Sequence, residues 1–180
     1  MGPDFTHRGG SDSAEIDFIH RRTSDAEIYF VSNRRNGPET IRGTFRVSGM
    51  IPECWDPETG KIRRVALYSD DGTRTTIPFR LQQHGSVFFV FREGEQAGHF
   101  VESRFNGEEF IPELQVSGED IHLVADGEGI YTLLDAKGNE RSVKAGNIPS
   151  PIPVTGPWEI DFPEGWGAPE KAVFPKLISW

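Results

Sequence analysis

The sequence predicts an all-β protein: an antiparallel β-sandwich, followed by a small β module and the incomplete start of a jelly roll. Three observations support this fold class. The 180 residues include 20 glycines and 13 prolines, which favour frequent turns and disfavour long helices. Apolar and polar residues alternate in several short runs, as expected of strands that bury one face. No window shows an apolar stripe with the period of a helix.

Residues 16–33 predict the strand pair around which the sandwich is organised. The first run, residues 16–20, ends in the basic cluster His20-Arg21-Arg22. The second run, residues 27–33, carries apolar side chains at nearly every position, which indicates a central strand. Residues 86–92 have the same character, so we expect them to form a second central strand beside the first.

The other strands of the sandwich follow from alternation and turn signals. In one turn, Asp56 stands at the first corner, Pro57 at the second and Gly60 at the exit. Asp70-Asp71-Gly72 predicts a hairpin. With these turns as boundaries, the remaining strands are expected at residues 41–47, 51–55, 61–69 and 73–81.

Composition shifts along the chain predict five segments. Residues 148–157 contain four prolines and indicate an extended linker. Acidic side chains concentrate after residue 93, which suggests a boundary there. We therefore predict a flexible N-terminal segment at 1–13, a sandwich at 14–92, a small acidic β module at 93–147, the linker at 148–157, and the truncated, mobile start of a further β-sandwich at 158–180.

Charge and motif content limit the expected partners and cofactors. The formal charge is −9, and residues 93–180 carry sixteen acidic and six basic side chains, which argues against nucleic acid as a partner. The longest apolar run, residues 87–91, is too short to span a membrane, and no signal-peptide pattern opens the sequence. The five histidines and the single Cys54 lack zinc-ligand spacing, so neither a metal nor a cofactor is expected.

His20 and Arg21 are candidate functional residues because they end a buried strand, where side chains are held rigidly. They can donate hydrogen bonds to a sugar or to a carboxylate of a neighbouring domain. The alternative is a solvated basic corner, and the two interpretations are balanced for His20 and Arg21. For Arg22 we prefer the second, with an ion pair to one of three nearby carboxylates: Asp17, Asp25 or Glu27.

Trp55 lies between Glu53 and Asp56, an arrangement that resembles a sugar-stacking site. We prefer a structural interpretation, in which Asp56 opens a turn and Trp55 packs in the core. A glycosidase needs two carboxylates about 5 to 10 Å apart. None of the 28 acidic residues has a signature context, so no catalytic residue is assigned.

Five motifs stand in a specific order: DFIHRR at 17–22, IYFVSN at 28–33, FRVSG at 45–49, WDPETG at 55–60 and GSVFFVF at 85–91. In this order they resemble a region of glycoside hydrolase family 106, which comprises large bacterial α-L-rhamnosidase-like enzymes. GPWEIDF at 156–162, with Trp166-Gly167 and LISW at 177–180, looks like the family's passage into a galactose-binding-like jelly roll, similar to the sugar-binding domain of family 2 glycosidases. PDF at 3–5 looks like the family's exit from its catalytic domain.

The resemblance implies that the catalytic barrel lies upstream of Met1, in a parent enzyme that is periplasmic or secreted. No catalytic residue or metal ligand of the family is carried onto this chain. The expected function is that of a non-catalytic accessory β-sandwich segment of a bacterial glycoside hydrolase that acts on rhamnose-containing polysaccharide. Its partner would be the catalytic domain of the same protein, with His20 and Arg21 at the active-site rim or at the domain interface.

Two alternatives stay open. The first is an independent carbohydrate-binding module, in which Trp55, Trp158 or Trp166 stacks on a sugar ring. The second is a structural domain that docks another protein.

Overall fold

A computed structural model of the protein describes residues 2–94, 98–165 and 167–176, and its regular elements are strands, which confirms the all-β prediction. No helix in this described part has the length and apolar character that a membrane crossing requires. The strands are β1 Phe5–Gly9, β2 Ile16–Arg22, β3 Ala26–Asn33, β4 Glu39–Phe45, β5 Ile51–Trp55, β6 Ile62–Arg64, β7 Ser69–Asp70, β8 Thr75–Leu81, β9 Ser86–Arg92, β10 Phe100–Phe105, β11 Glu108–Glu109, β12 Glu113–Ser117, β13 Asp120–Val124, β14 Gly129–Asp135, β15 Glu140–Ala145, β16 Trp158–Asp161 and β17 Lys171–Phe174.

The first sheet of the sandwich has five antiparallel strands in the order β2-β3-β9-β5-β6. β2 and β3 pair along their whole length, beginning with Ile16 opposite Asn33. On its other side β3 pairs with β9, where Tyr29 lies opposite Phe89. The predicted strand pair and its apolar neighbour are therefore confirmed, because strands with apolar side chains on both faces take the inner places of a sheet.

The second sheet has the order β1-β4-β8-β7, and its edge strand β1 corrects one expectation. Residues 1–13 are predicted to be flexible, but residues 5–9 form β1 and pair with β4. The physical reason is Phe5, which is only 5% exposed and has its ring centroid 5.1 Å from that of Phe45. Burial of this ring outweighs the flexibility of the polar, Gly-rich residues around it.

Phe45 lies at the centre of the core between the two sheets and is fully buried. Its ring centroid is 5.0 Å from that of Tyr29 and 5.2 Å from those of Phe89 and Phe91, which belong to the opposite sheet. Phe79 adds a second contact across the core, 4.8 Å from Phe89. Such pairs contribute about 0.5–1.5 kcal/mol each beyond their buried area, so these rings hold the sheets together.

β8 has a partly open edge, because its neighbour β7 comprises two residues and pairs only with the start of β8. In the connecting turn, the N–H of Asp71 donates to the C=O of Arg74 at 3.1 Å. Even-numbered residues of this strand therefore direct their backbone groups towards β7 and the open edge. Pro78 is one of these residues and has no N–H. The ladder with β4 therefore loses no donor, and the gap falls at the open edge.

The strands after residue 98 form a four-stranded sheet with the order β11-β10-β14-β15 and a separate β12-β13 hairpin. Leu67, Phe100 and Leu133 form the small core of this region. The acidic, glycine-containing residues 93–110 predict a loop or weak strand, and they contain β10 and the short β11. The sequence also predicts four short strands after them, at residues 114–116, 121–125, 130–134 and 140–143. These strands are confirmed as β12 to β15.

The chain divides into two compact units, one ending at Ile148 and the other beginning at Pro149. In the second unit, β16 and β17 form an antiparallel hairpin, with Trp158 opposite Phe174. The predicted domain boundary at residue 93 lies within the first unit and stays a prediction, as does a mobile segment after residue 157.

Gly43 offers a direct test of this core. A Cβ at this position would stand 2.8 Å from the ring of Phe79 and 2.9 Å from that of Phe5. We expect Gly43→Ala to force these rings apart and to lower the free energy of unfolding by about 1–3 kcal/mol, measured by urea denaturation. Gly37→Ala is the matched control, because nothing lies within 4 Å of its added Cβ. Equal losses from both substitutions would contradict this account of the core.

Candidate functional site

His20 lies near the end of β2, on the face of the sheet that carries Tyr29. Alternation along the strand puts it on the same face as Ile16 and Phe18, and its partner across the ladder is Tyr29. Only 13% of the His20 side chain is exposed. The imidazole is thus placed at the edge of the sandwich core and not in open solvent.

Both ring nitrogens of His20 face carboxylates. Nδ1 is 3.0 Å from Oδ2 of Asp4, and Nε2 is 2.6 Å from Oε2 of Glu27. The imidazole stacks on the ring of Tyr29, with the centroids 4.0 Å apart and the planes 6° apart. Only a doubly protonated ring donates to both carboxylates at once, so the arrangement suits an ion triad.

Two arginines complete this set of charges. Arg22 contacts Oε1 of Glu27, and Arg46 contacts Oδ1 of Asp4. Glu27 is 7% exposed, and a buried carboxylate is tolerated only when it is paired. The prediction that Arg22 pairs with a nearby carboxylate is confirmed. We refer to His20, Asp4, Glu27, Arg22 and Arg46 as the His20 cluster.

Both carboxylates of the His20 cluster are paired with positively charged side chains. Each carboxylate contacts one arginine and one nitrogen of His20, which ties the N-terminal segment to the β2-β3 hairpin. Arg21 differs: it is exposed, on the opposite face of β2, and forms no ion pair among the residues described. A position of His20 and Arg21 at an active-site rim or a domain interface stays a prediction.

The partners of His20 carry little sequence signal. Asp4 falls in the segment predicted to be flexible, and Arg46 directly follows β4 of the other sheet. Alternation along β2 would have indicated that His20 faces the core. Nothing in the sequence shows which carboxylates the fold brings to it.

Trp55 is half-buried on the outward face of the five-stranded sheet, so the expectation that it packs in the core is wrong. The neighbouring Cys54 packs against the core instead, because successive side chains of β5 point to opposite faces. The indole Nε1 donates to Oε2 of Glu53 at 2.9 Å, and the Arg92 guanidinium lies 6.0 Å from the ring centroid. The turn-opening role of Asp56 is confirmed, since Oδ1 accepts the Glu58 N–H at 2.9 Å.

Trp55 belongs to a row of large apolar side chains that lie opposite one another, strand by strand, across all five strands of the first sheet. Ile19 and Ile62, at the two ends, are 55% and 56% exposed, whereas the three aromatic members are half-buried. The sequence does not reveal this row, because its members come together only through strand order and register. We refer to these residues as the apolar row, in the order Ile19, Phe30, Phe88, Trp55 and Ile62.

The other two tryptophans predicted to stack on sugars belong to the second unit. Trp158 is half-buried in β16, and a Cβ at Gly156 would stand 2.8 Å from its ring, so this glycine lies close against the indole. Trp166 lies outside the described residues. Sugar stacking by either residue stays a prediction.

A cavity of about 540 Å³ opens between β8 and the β5-β6 pair. Its lining combines buried core side chains such as Phe79 and Phe89 with exposed charged ones such as Arg63 and Arg80. Arg80 is directed over the ring of Phe110, 5.4 Å from its centroid. Within the described part of the chain, no three metal-ligating side chains cluster.

The His20 cluster predicts an acid-sensitive ion pair at Asp4. The hydrogen bond from His20, aided by the charge of Arg46, lowers the pKa of the Asp4 carboxyl below its ordinary value of 3.8. A depressed folded-state pKa stabilises the fold above the unfolded pKa, and this contribution disappears as the pH falls through the folded value. Asp4→Asn should therefore be less stable than the native chain near neutral pH, and the difference should shrink below about pH 4, measured by urea unfolding.

Asp12→Asn is the control for this substitution, because Asp12 is exposed and has no ion pair in the described part of the chain. It should leave the stability unchanged at either pH. A difference between Asp4→Asn and the native chain that persists unchanged in acid would refute the assigned ion pair.

Tyr29 predicts a second pH dependence, at the alkaline end. Its hydroxyl is buried and forms no hydrogen bond with the described residues. Burial, together with the negative charges of Glu27 and Asp4, raises the pKa of Tyr29 to about 12 from an ordinary value of 10.0. The folded state therefore retains the hydroxyl proton of Tyr29 more tightly than the unfolded state does. The contribution of this protonated group to stability is complete below pH 10 and is lost as the pH rises towards 12.

We expect Tyr29→Phe to match the native chain within about 1 kcal/mol at neutral pH, because no hydrogen bond is lost, and to exceed its stability above pH 10. Tyr131→Phe is the contrasting variant, since the Tyr131 hydroxyl donates to Oδ1 of Asp126 at 3.0 Å. That variant should lose about 1 kcal/mol already at neutral pH. Thermal unfolding followed by circular dichroism measures both, and an unchanged alkaline transition in Tyr29→Phe would sink the assignment.

Comparisons with known proteins agree with the motifs in the sequence. Residues 1–70 match the family model Glyco_hydro_106, described as alpha-L-rhamnosidase. A protein of Formosa agariphila, provisionally named a beta-glucuronidase, is 40% identical over 87 residues, which cover 47% of this chain and 7% of that protein. The structure of a rhamnosidase from Novosphingobium sp. PP1Y matches with a TM-score of 0.61 and 27% identity, over 98% of this chain and 13% of the rhamnosidase.

This chain thus spans a small part of the length of both relatives. The family match covers the β1 to β7 region, which includes the His20 cluster. Together, the three comparisons confirm that this chain resembles a region of glycoside hydrolase family 106.

Proposed function

We propose that the chain serves as a non-catalytic accessory β-sandwich segment of a rhamnosidase-like glycoside hydrolase and supports its catalytic domain. The observation that carries this proposal is the match of 98% of the chain to a part that makes up 13% of a rhamnosidase. The comparisons directly support the more general conclusion that this chain is related to a region of a glycosidase.

The His20 cluster supports the accessory role. A general acid and a nucleophile or base must both remain available to the substrate. Asp4 and Glu27 are instead each held by His20 and by an arginine, so they stabilise the hairpin of β2 and β3. Arg21, which is exposed at the end of the same hairpin, is the residue that we place at the contact with the catalytic domain.

A carbohydrate-binding module has less support. Trp55 donates its Nε1 proton to Glu53, and Arg92 lies over its ring, so the indole nitrogen is engaged and the ring face is partly covered. Trp158 is half-buried in its own hairpin.

Hydrolysis of a chromogenic α-L-rhamnoside by the purified 180-residue chain tests the proposal. We expect no release of chromophore above buffer, because neither carboxylate of the His20 cluster is free for catalysis. The Novosphingobium rhamnosidase serves as the positive control. Robust turnover that survives further purification would refute the non-catalytic role.

A fluorescence titration with a rhamnose-containing polysaccharide separates the accessory segment from the carbohydrate-binding module. An unchanged tryptophan signal is expected for the accessory segment. A saturable change that Trp55→Phe or Trp158→Phe abolishes would favour the module instead.

A further inference from the structure

The apolar row leaves a large apolar strip on the outward face of the five-stranded sheet. Neighbouring strands lie about 4.8 Å apart, so the row is roughly 19 Å long from β2 to β6. More than half of the surface of Ile19 and of Ile62 is in contact with solvent. Contiguous exposed apolar strips of this kind mark interaction sites more often than isolated apolar residues do.

The geometry of the row favours a protein surface over a sugar. Sugar stacking requires a flat aromatic face, but the rings of Phe30 and Phe88 are inclined at 51° with centroids 4.9 Å apart. The Arg92 guanidinium covers part of the Trp55 ring. Aliphatic ends and inclined rings form a corrugated apolar surface, which complements packed side chains better than a planar ring.

Charges beside the row indicate what the partner carries. The next row of opposing residues on the same face begins with Arg21 on β2 and ends with Arg64 on β6. Neither guanidinium has a carboxylate partner among the described residues, whereas the nearby carboxylate of Asp25 is 2.6 Å from Arg92. The strip therefore presents two arginines without a described carboxylate partner about 19 Å apart, although Arg64 also donates to the C=O of Gly98. A complementary surface would offer carboxylates at that spacing.

A second copy of this chain fits these charges poorly. It would bring the same unpaired arginines to the contact, while Glu53 is already held by the Trp55 indole. In the Novosphingobium rhamnosidase, by contrast, the matched region is accompanied by the remaining part of a much longer chain. Because that chain is so much longer, it contains further polypeptide that can cover this surface as another domain of the same chain.

We propose that the apolar row, with Arg21 and Arg64, is the surface on which this segment docks against another domain of a rhamnosidase-like polypeptide. That domain would present an apolar surface bordered by carboxylates. This inference rests on the proposed function, because it takes the segment to be part of a larger glycosidase. It adds the face that makes the contact and the chemistry of the opposing surface.

The test uses the Novosphingobium rhamnosidase from which the region matching this chain has been deleted. The 180-residue chain is titrated into that protein in a calorimeter. We expect saturable binding that Ile19→Thr combined with Ile62→Thr weakens by about tenfold or more, because truncating anchors in an interface costs that much. Arg21→Glu combined with Arg64→Glu should weaken it similarly and remove most of its salt dependence.

Two control variants match these substitutions. Ile130→Thr with Val143→Thr replaces side chains that are 49% and 51% exposed elsewhere in the chain, and Arg8→Glu reverses an exposed charge on β1. Both should bind like the native chain. Circular dichroism confirms that every variant and the shortened rhamnosidase are folded, and the charge variants avoid the core altogether.

Absence of binding, or equal losses from control and row variants, would overturn the proposal. Self-association of the native chain that the row variants abolish would assign the face to a second copy instead. Rhamnoside hydrolysis by the isolated chain would refute the proposed function without bearing on the docking titration, so the two failures are distinguishable.

Discussion

Phe45 holds the two sheets of the sandwich together through contacts with Tyr29, Phe89 and Phe91 on the opposite sheet. These rings set the separation of the sheets, which in sandwiches is about 10 Å. The close approach of the rings near Gly43 follows from the same packing, because a side chain there would occupy their space.

The aromatic core also determines where the charges of the protein can be placed. Tyr29 contacts Phe45 in the core and stacks on His20 at the margin, so it connects the apolar interior with the His20 cluster. The cluster in turn fixes Asp4, which leads directly into Phe5 and β1. Charge pairing and ring packing thus hold the same edge strand from two directions.

Much of this architecture could be predicted from the sequence, since alternation and turn chemistry are local properties. The strands around residues 16–33 and 86–92 follow from their apolar character alone. Phe5 could not be recognised as a core residue, because its burial depends on Phe45, forty residues away. The expectation that Trp55 packs in the core fails, because Ile51 and Trp55 make the outward face of β5 as apolar as the inward face with Pro52 and Cys54.

The candidate surfaces show the same division between local and long-range information. The basic cluster at residues 20–22 is visible in the sequence, but its pairing with Asp4 requires the second sheet. The apolar row depends on the register of four strand pairs, and two of them, β3-β9 and β5-β9, join strands that are far apart in the sequence. The resemblance to family 106 rests on ordered motifs, and it identifies a region without identifying which of its faces act.

Pro78 has a consequence for how safely this sandwich can be produced and stored. An exposed strand edge is a template on which another molecule can add a strand and begin an aggregate. Along the open part of β8, the even-numbered residues supply the outward donors, and Pro78 supplies none. A foreign strand would therefore meet an interrupted ladder at the middle of that edge, which limits sheet-to-sheet growth between molecules at high concentration.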